Sequence, residues 1–269
     1  LGKQEKRHGA VNLNVDSALQ TQGLAPKPWS EVLETVKAKL PAREWETFSR
    51  LHKNFVGYRS ESTLSRFYGF VFSQNLQMDV NAYRYGRLKA VLADLIEEVH
   101  AGNSILDIGA GAGILSTVIQ RHRSPRTLVL QDPCREVRDE LTAQGFRVLP
   151  HPPPARPSDW NVSVSHGFDL LLCVDSLGEV NADDDGALTK PDAVPAADLP
   201  DMLEERYGFA QKLAPWIPWL APGGRVLLWE PFPVGNVFEA LAISLRNDGW
   251  DAQIRTRAPG RNYLELRRN

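Results

Sequence analysis

The residues best suited to chemistry lie in SILDIGAGAGILST, residues 104–117. A short apolar run ends in Asp107, and three alternating glycines follow at Gly109, Gly111 and Gly113. Such a stretch predicts a strand, a sharp turn and a helix start. Glycine bends where other residues cannot and leaves no Cβ between the backbone and a nucleotide-type ligand. The dinucleotide fingerprint G-x-G-x-x-G needs a third glycine where Ile114 stands, so the spacing is D-x-G-x-G-x-G and points away from a pyrophosphate-bearing ligand. The next apolar run, LVLQDP (128–133), ends in Asp132 and Pro133. A carboxylate there can accept both hydroxyls of a ribose; the alternative is an Asp that only initiates the turn before proline.

Two further segments follow in order, FDLLLCVDSLGEV (168–180) and LAPGGRVLLWEP (220–231). With the glycine turn and Asp132, they resemble the class I S-adenosylmethionine-dependent methyltransferases over roughly residues 90–269. The resemblance implies an α/β fold with a doubly wound, seven-stranded, mostly parallel sheet, and S-adenosyl-L-methionine as cofactor. It implies that Gly109, Ala110, Gly111, Gly113 and Ile114 form the turn against that cofactor. Asp107 then serves its amino-acid end through water or backbone amides, and Asp132 and Pro133 serve its ribose. The loop after the third strand, residues 151–161, stands where the family contacts adenine. Asp159 and Trp160 are the candidates there for the amino group and the ring, with a purely structural loop as the alternative. Asp175 and Ser176 follow the fourth strand beside the cofactor. Tyr68 and Tyr83 are further candidates, since a sulfonium can rest on an aromatic face.

Methyl transfer from a sulfonium is an in-line displacement, so the protein must chiefly align the reactants and exclude water. A base is needed only where the acceptor has a proton to lose. Asp175 and Glu179 are the candidates to orient or deprotonate it. The turn after the fourth strand reads Asp175-Ser176-Leu177-Gly178, unlike the N/D-P-P-Y/F turn of family members that methylate amino groups of nucleobases and glutamine. No cysteine follows a proline at that strand end, as cytosine C5 enzymes require. Cys134 follows a different strand, and Cys173 reads as core. No histidine pair has metal-ligand spacing, and no metal is expected. His151 and His166 read as surface histidines or, alternatively, as bases.

The elements that must carry these residues divide the 269-residue chain. Residues 1–27 lack periodicity and are expected to form a flexible arm. Residues 28–102 read as an N-terminal helical cap, with apolar stripes on about 29–40, 45–55 and 62–76 and on a fourth helix N-capped by Asp79. Residues 103–269 then alternate strand and helix, with strands near 104–108, 127–131, 146–149, 168–174, 224–230, 251–257 and 262–267. Residues 181–200 read as a solvated acidic loop or as a gate presenting Asp183–Asp185. The chain opens without methionine, as a trimmed chain or fragment would.

Charge and composition limit the partners. There are 31 basic and 33 acidic residues, a net charge of −2, which argues against nucleic acid. Two cysteines make no disulfide framework, and neither a signal-like segment nor a membrane-length apolar run is present, so a cytoplasmic protein is expected. The expected activity is methyl transfer to a small-molecule or short peptide-like acceptor. An RNA methyltransferase, suggested by Arg255, Arg257, Arg261, Arg267 and Arg268, is one alternative. A non-catalytic scaffold that binds S-adenosylmethionine is the other.

Overall fold

The computed structural model describes residues 13–57, 61–160, 167–175, 200, 208–229, 235–258 and 261–268. Seven strands form one sheet: β1 (Ser104–Ile108), β2 (Thr127–Gln131), β3 (Arg147–Val148), β4 (Phe168–Val174), β5 (Leu220–Trp229), β6 (Trp250–Ala258) and β7 (Arg261–Arg268). Their spatial order is β3-β2-β1-β4-β5-β7-β6. The first five pair in parallel, and β7 lies antiparallel to both β5 and β6. Every residue of β1 is buried, as a central strand covered on both faces requires. Alternate side chains serve two cores: Leu106, Leu171 and Val226 face one, Ile105, Leu170 and Leu227 the other. Strand order reverses between β1 and β4, which opens a crevice beyond their C-terminal ends.

One face is covered by the short helix Phe209–Leu213, by Trp216 and Trp219, and by the helix Gly235–Asn247. The other carries α6 (Tyr85–Glu98), α7 (Ile114–Arg123) and α8 (Arg135–Ala143), roofed by α2 (Trp29–Lys39), α3 (Ala42–Gly57) and α4 (Glu61–Ser73). Val32, Phe48, Phe67 and Val71 from these roofing helices share one apolar core with Ile105, Leu130 and Leu172 of the sheet. The described helices α2, α3, α4 and α6 therefore pack as a layer against the sheet. No helix among the described residues is long and apolar enough to cross a membrane.

Three expectations need correction. The stretch assigned to a flexible arm is packed from residue 13 onward. There α1 (Val15–Gln20) buries Ala18 and Leu19, and Leu24 follows, against Leu88, Leu92 and Val118. Asp16 accepts hydrogen bonds from Tyr85 (2.8 Å) and Lys89 (2.6 Å), so two long-range polar contacts anchor a segment too short to show periodicity. Residues 1–12 lie outside the described ones.

The expected single helix from Asp79 is two, α5 (Gln77–Ala82) and α6, broken at Tyr83–Arg84. Leu76 is the N-cap of α5; Asp79 sits in its first turn, where a carboxylate suits the helix dipole, and meets Lys39 at 2.6 Å. Finally, β5 begins at Leu220. The LAPGG segment is drawn into the strand as an irregularity, with Phe168 opposite Leu220 but Leu170 opposite Arg225.

Candidate functional site

The glycine turn is held by backbone bonds. Gly109 and Ala110 donate to the Gln131 carbonyl at 2.8 and 3.0 Å, drawing the turn over the end of β2. All three glycines have positive φ: 71° at Gly109, 54° at Gly111 and 68° at Gly113. Their needs differ. A Cβ on Gly113 would sit 2.7 Å from the Leu141 Cδ2, so this glycine lets α7 approach α8. A Cβ on Gly111 would meet nothing within 4 Å. Space is open there.

Asp132 closes the other side. Its Oδ2 accepts from the Gly111 N–H at 3.0 Å and its Oδ1 from the Cys134 N–H at 2.9 Å. Arg138 donates to its carbonyl at 2.8 Å. Burial pushes the Asp132 carboxyl up, against the two backbone N–H groups that hold it down. Pro133 is exposed beside it.

Asp107 is 5% exposed and accepts from the Ser116 hydroxyl at 2.5 Å. Burial, with a smaller contribution from the nearby Asp132 charge, pushes its pKa to about 6 despite the Ser116 bond. Two buried carboxylates thus stand at neighbouring strand ends beside an open turn. Ile114, the residue after the glycines, is buried against α1 and α6.

Asp175 follows β4 in the left-handed region, φ 51°, with its N–H donating to the Trp229 carbonyl at 2.7 Å. Arg84 donates to its Oδ2, and Arg87 grips Oδ1 through Nη2 at 2.8 Å and Nε at 3.3 Å. Both carboxylate oxygens are engaged, which suits a group that positions a turn better than one that takes a proton. Neither arginine was singled out in the sequence. They lie 91 and 88 residues from their partner, and no local pattern links them.

The remaining candidates fall in different places. Tyr68 is partly buried among the roofing helices, edge-on to Phe55 at 5.8 Å. Tyr83 is 60% exposed, its ring edge-on to Trp29 at 5.6 Å. Trp160 packs edge-on to Trp219 at 6.2 Å, and Trp219 stacks on Phe168 at the start of β4. That puts Trp160 by the N-terminal end of β4, opposite the end that carries Asp175; Asp159 precedes it, exposed in a short 3-10 turn. From this loop His151 places its Nδ1 3.2 Å from Gln131 Nε2, and it acts electrostatically to lower the Asp132 pKa. Ser176, Glu179, His166 and Asp183–Asp185 lie outside the described residues.

Cys134 and Cys173 are both buried. The Cys134 thiol donates to Glu136 at 3.1 Å, and burial pushes it up to about 11, so it is no nucleophile at neutral pH. Of the C-terminal arginines, Arg255 and Arg267 each meet Glu265 (2.9 and 2.7 Å) and Arg257 meets Glu97 at 2.9 Å and Glu98. Arg268 lies over the Trp250 ring, 5.1 Å from its centroid.

The strand order, with its single reversed strand β7, and the crevice at the β1/β4 switch define a class I methyltransferase fold. Among solved structures, the chain is similar to PigF with SAH, at 15% identity and a TM-score of 0.47, covering 84% of this chain and 69% of that one. It is similar to a putative O-methyltransferase from Nostoc punctiforme, at 14% identity and a TM-score of 0.45, covering 83% and 68%. The CurJ carbon methyltransferase gives 15% identity and a TM-score of 0.45, covering 88% and 70%. No protein-family model matches the sequence, and no curated protein matches it significantly.

Proposed function

We propose that this protein is an S-adenosylmethionine-dependent methyltransferase acting on a small-molecule or short peptide-like acceptor. The observation that carries the reading is the pair of buried carboxylates, Asp107 and Asp132, beside a turn whose Gly111 borders open space. Two carboxylates in that position repel a phosphate and favour a ligand with a cationic end and a vicinal diol. S-adenosylmethionine has both. Asp107 serves its ammonium end, Asp132 its ribose hydroxyls, and Gly109, Ala110 and Gly111 lie along it.

The bound cofactor supplies a methyl group on a sulfonium whose leaving group is a neutral thioether. The chain's own task is alignment and exclusion of water. Arg84 and Arg87 fix Asp175 at the end of β4, where the acceptor approaches; Glu179, four residues on in the sequence, is the candidate to take a proton from it. Tyr68 on α4 belongs to the roof that keeps water from the sulfonium. The internal pairing of Arg255, Arg257 and Arg267 supports a small acceptor over RNA, because these guanidinium groups already serve Glu97, Glu98 and Glu265.

Calorimetric titration tests the reading. S-adenosylmethionine and S-adenosylhomocysteine should bind with one site per chain, and NAD should not. Labelled methyl groups should then pass to an acceptor in a small-molecule panel. NAD binding without binding of either sulfur ligand would overturn the assignment.

A further inference from the structure

Asp132 and Pro133 make the turn that leaves β2, and their two backbone carbonyls share one donor. Arg138 Nη1 lies 2.8 Å from the Asp132 carbonyl oxygen and 2.7 Å from that of Pro133. Arg138 sits one turn inside α8, its N–H donating to the Cys134 carbonyl at 3.2 Å. Helical side chains lean towards the N-terminus, so its guanidinium runs back over the start of the helix and is half-buried against the turn. Arg135, at the start of the same helix, is exposed and pairs with Asp139 at 3.6 Å.

The Pro133 carbonyl and the Cys134 N–H belong to one planar peptide unit. Arg138 holds one end of that unit, and the other end donates to Asp132 Oδ1 at 2.9 Å. The guanidinium thereby fixes a donor that orients the carboxylate, while the Gly111 N–H, 3.0 Å from Oδ2, fixes the second oxygen. Each oxygen keeps a further acceptor position, which is what two vicinal hydroxyls require. Burial pushes the Asp132 carboxyl up, and the positive charge of Arg138 works against that rise.

We infer that Arg138 is a positioning residue for the cofactor's ribose. It acts through Asp132, aiming that carboxylate at the 2′ and 3′ hydroxyls, and so sets the preference for ribose over deoxyribose. The inference rests on Asp132 serving the ribose.

Calorimetric titration of the full chain with S-adenosylhomocysteine and with its 2′-deoxy counterpart tests it. The parent should prefer the ribose ligand by about tenfold, the worth of one hydrogen bond to a charged group. Arg138→Met should weaken S-adenosylhomocysteine by about tenfold and cut the preference to about twofold. Arg138→Lys, which can still donate to one carbonyl, should come within about threefold of the parent. In an Asp132→Ala background, Arg138→Met should cost no more than about twofold, because the group it aims is gone. Arg135→Met should leave both ligands unchanged. Equal weakening of the two ligands by Arg138→Met would mean a structural brace only and would overturn the inference. Additive losses with Asp132→Ala, or parental binding by Arg138→Met, would do the same. A parent chain that binds neither ligand, or both equally, would instead overturn the assignment of Asp132 to the ribose, and the inference with it.

Discussion

Asp107→Asn should make the free protein more stable and a poorer binder, and both effects should depend on pH in a defined direction. Asp107 is 5% exposed, and burial raises its pKa to about 6 from an ordinary 3.8. A carboxyl whose folded pKa is raised holds its proton more tightly in the native state. Its ionisation therefore costs stability that is intact below about pH 4 and is lost as pH rises through about 6. The shift of about two units corresponds to roughly 3 kcal/mol at pH 8, an upper bound for what a neutral isostere recovers.

Asparagine can still accept from Ser116, whose hydroxyl lies 2.5 Å from the present carboxylate. Thermal unfolding of the free variant should thus exceed the parent by about 1–3 kcal/mol at pH 8, with the gap roughly halved at pH 5 and closing below about pH 4, where the unfolded chain is protonated too. S-adenosylhomocysteine should behave in the opposite sense. Its ammonium favours ionised Asp107, so parent affinity should be level above pH 7 and about tenfold weaker at pH 5, while the variant should be weak and nearly flat across this range. A variant less stable than the parent at pH 8, or one with parental affinity, would refute the argument.

Replacing Asp132 with alanine removes the proposed ribose acceptor and leaves the Gly111 and Cys134 N–H groups without their carboxylate; affinity for S-adenosylhomocysteine should fall by about one to two orders of magnitude while the fold persists, as calorimetry and circular dichroism would show. Gly111→Val places a branched side chain at φ 54°, costing about 1–2 kcal/mol in Tm measurements and abolishing cofactor binding; a variant that still binds would show that the open space at Gly111 is not used. Leu19→Ala, at a fully buried site in α1, should cost about 2–5 kcal/mol in denaturant unfolding, whereas a value near zero would return residues 13–27 to the status of a loose arm.

What the sequence determined by itself is what a few neighbouring residues can encode. The glycine turn needs positive φ at three alternating positions, and only glycine takes that backbone at no cost, so its place was legible and the structure puts all three there. The central strands were legible because a strand buried on both faces must be a continuous apolar run, as in SILDI and FDLLLCV. Less was legible at the edges. LAPGG reads as a turn by composition, yet pairing with β4 draws it into β5.

Only the tertiary structure decided the rest. The α1 segment is too short for its apolar period to stand out, and its place rests on contacts with α6 and α7 far along the chain. The bonds of Arg84 and Arg87 to Asp175 arise because the break between α5 and α6 meets the end of β4 in space. Trp160 reads as an adenine contact by its place in the sequence, but its packing on Trp219 carries it to the other end of the sheet. Local backbone preference and burial pattern are written residue by residue. Which side chains from distant segments meet depends on how the layers close, and that information is shared across the whole chain.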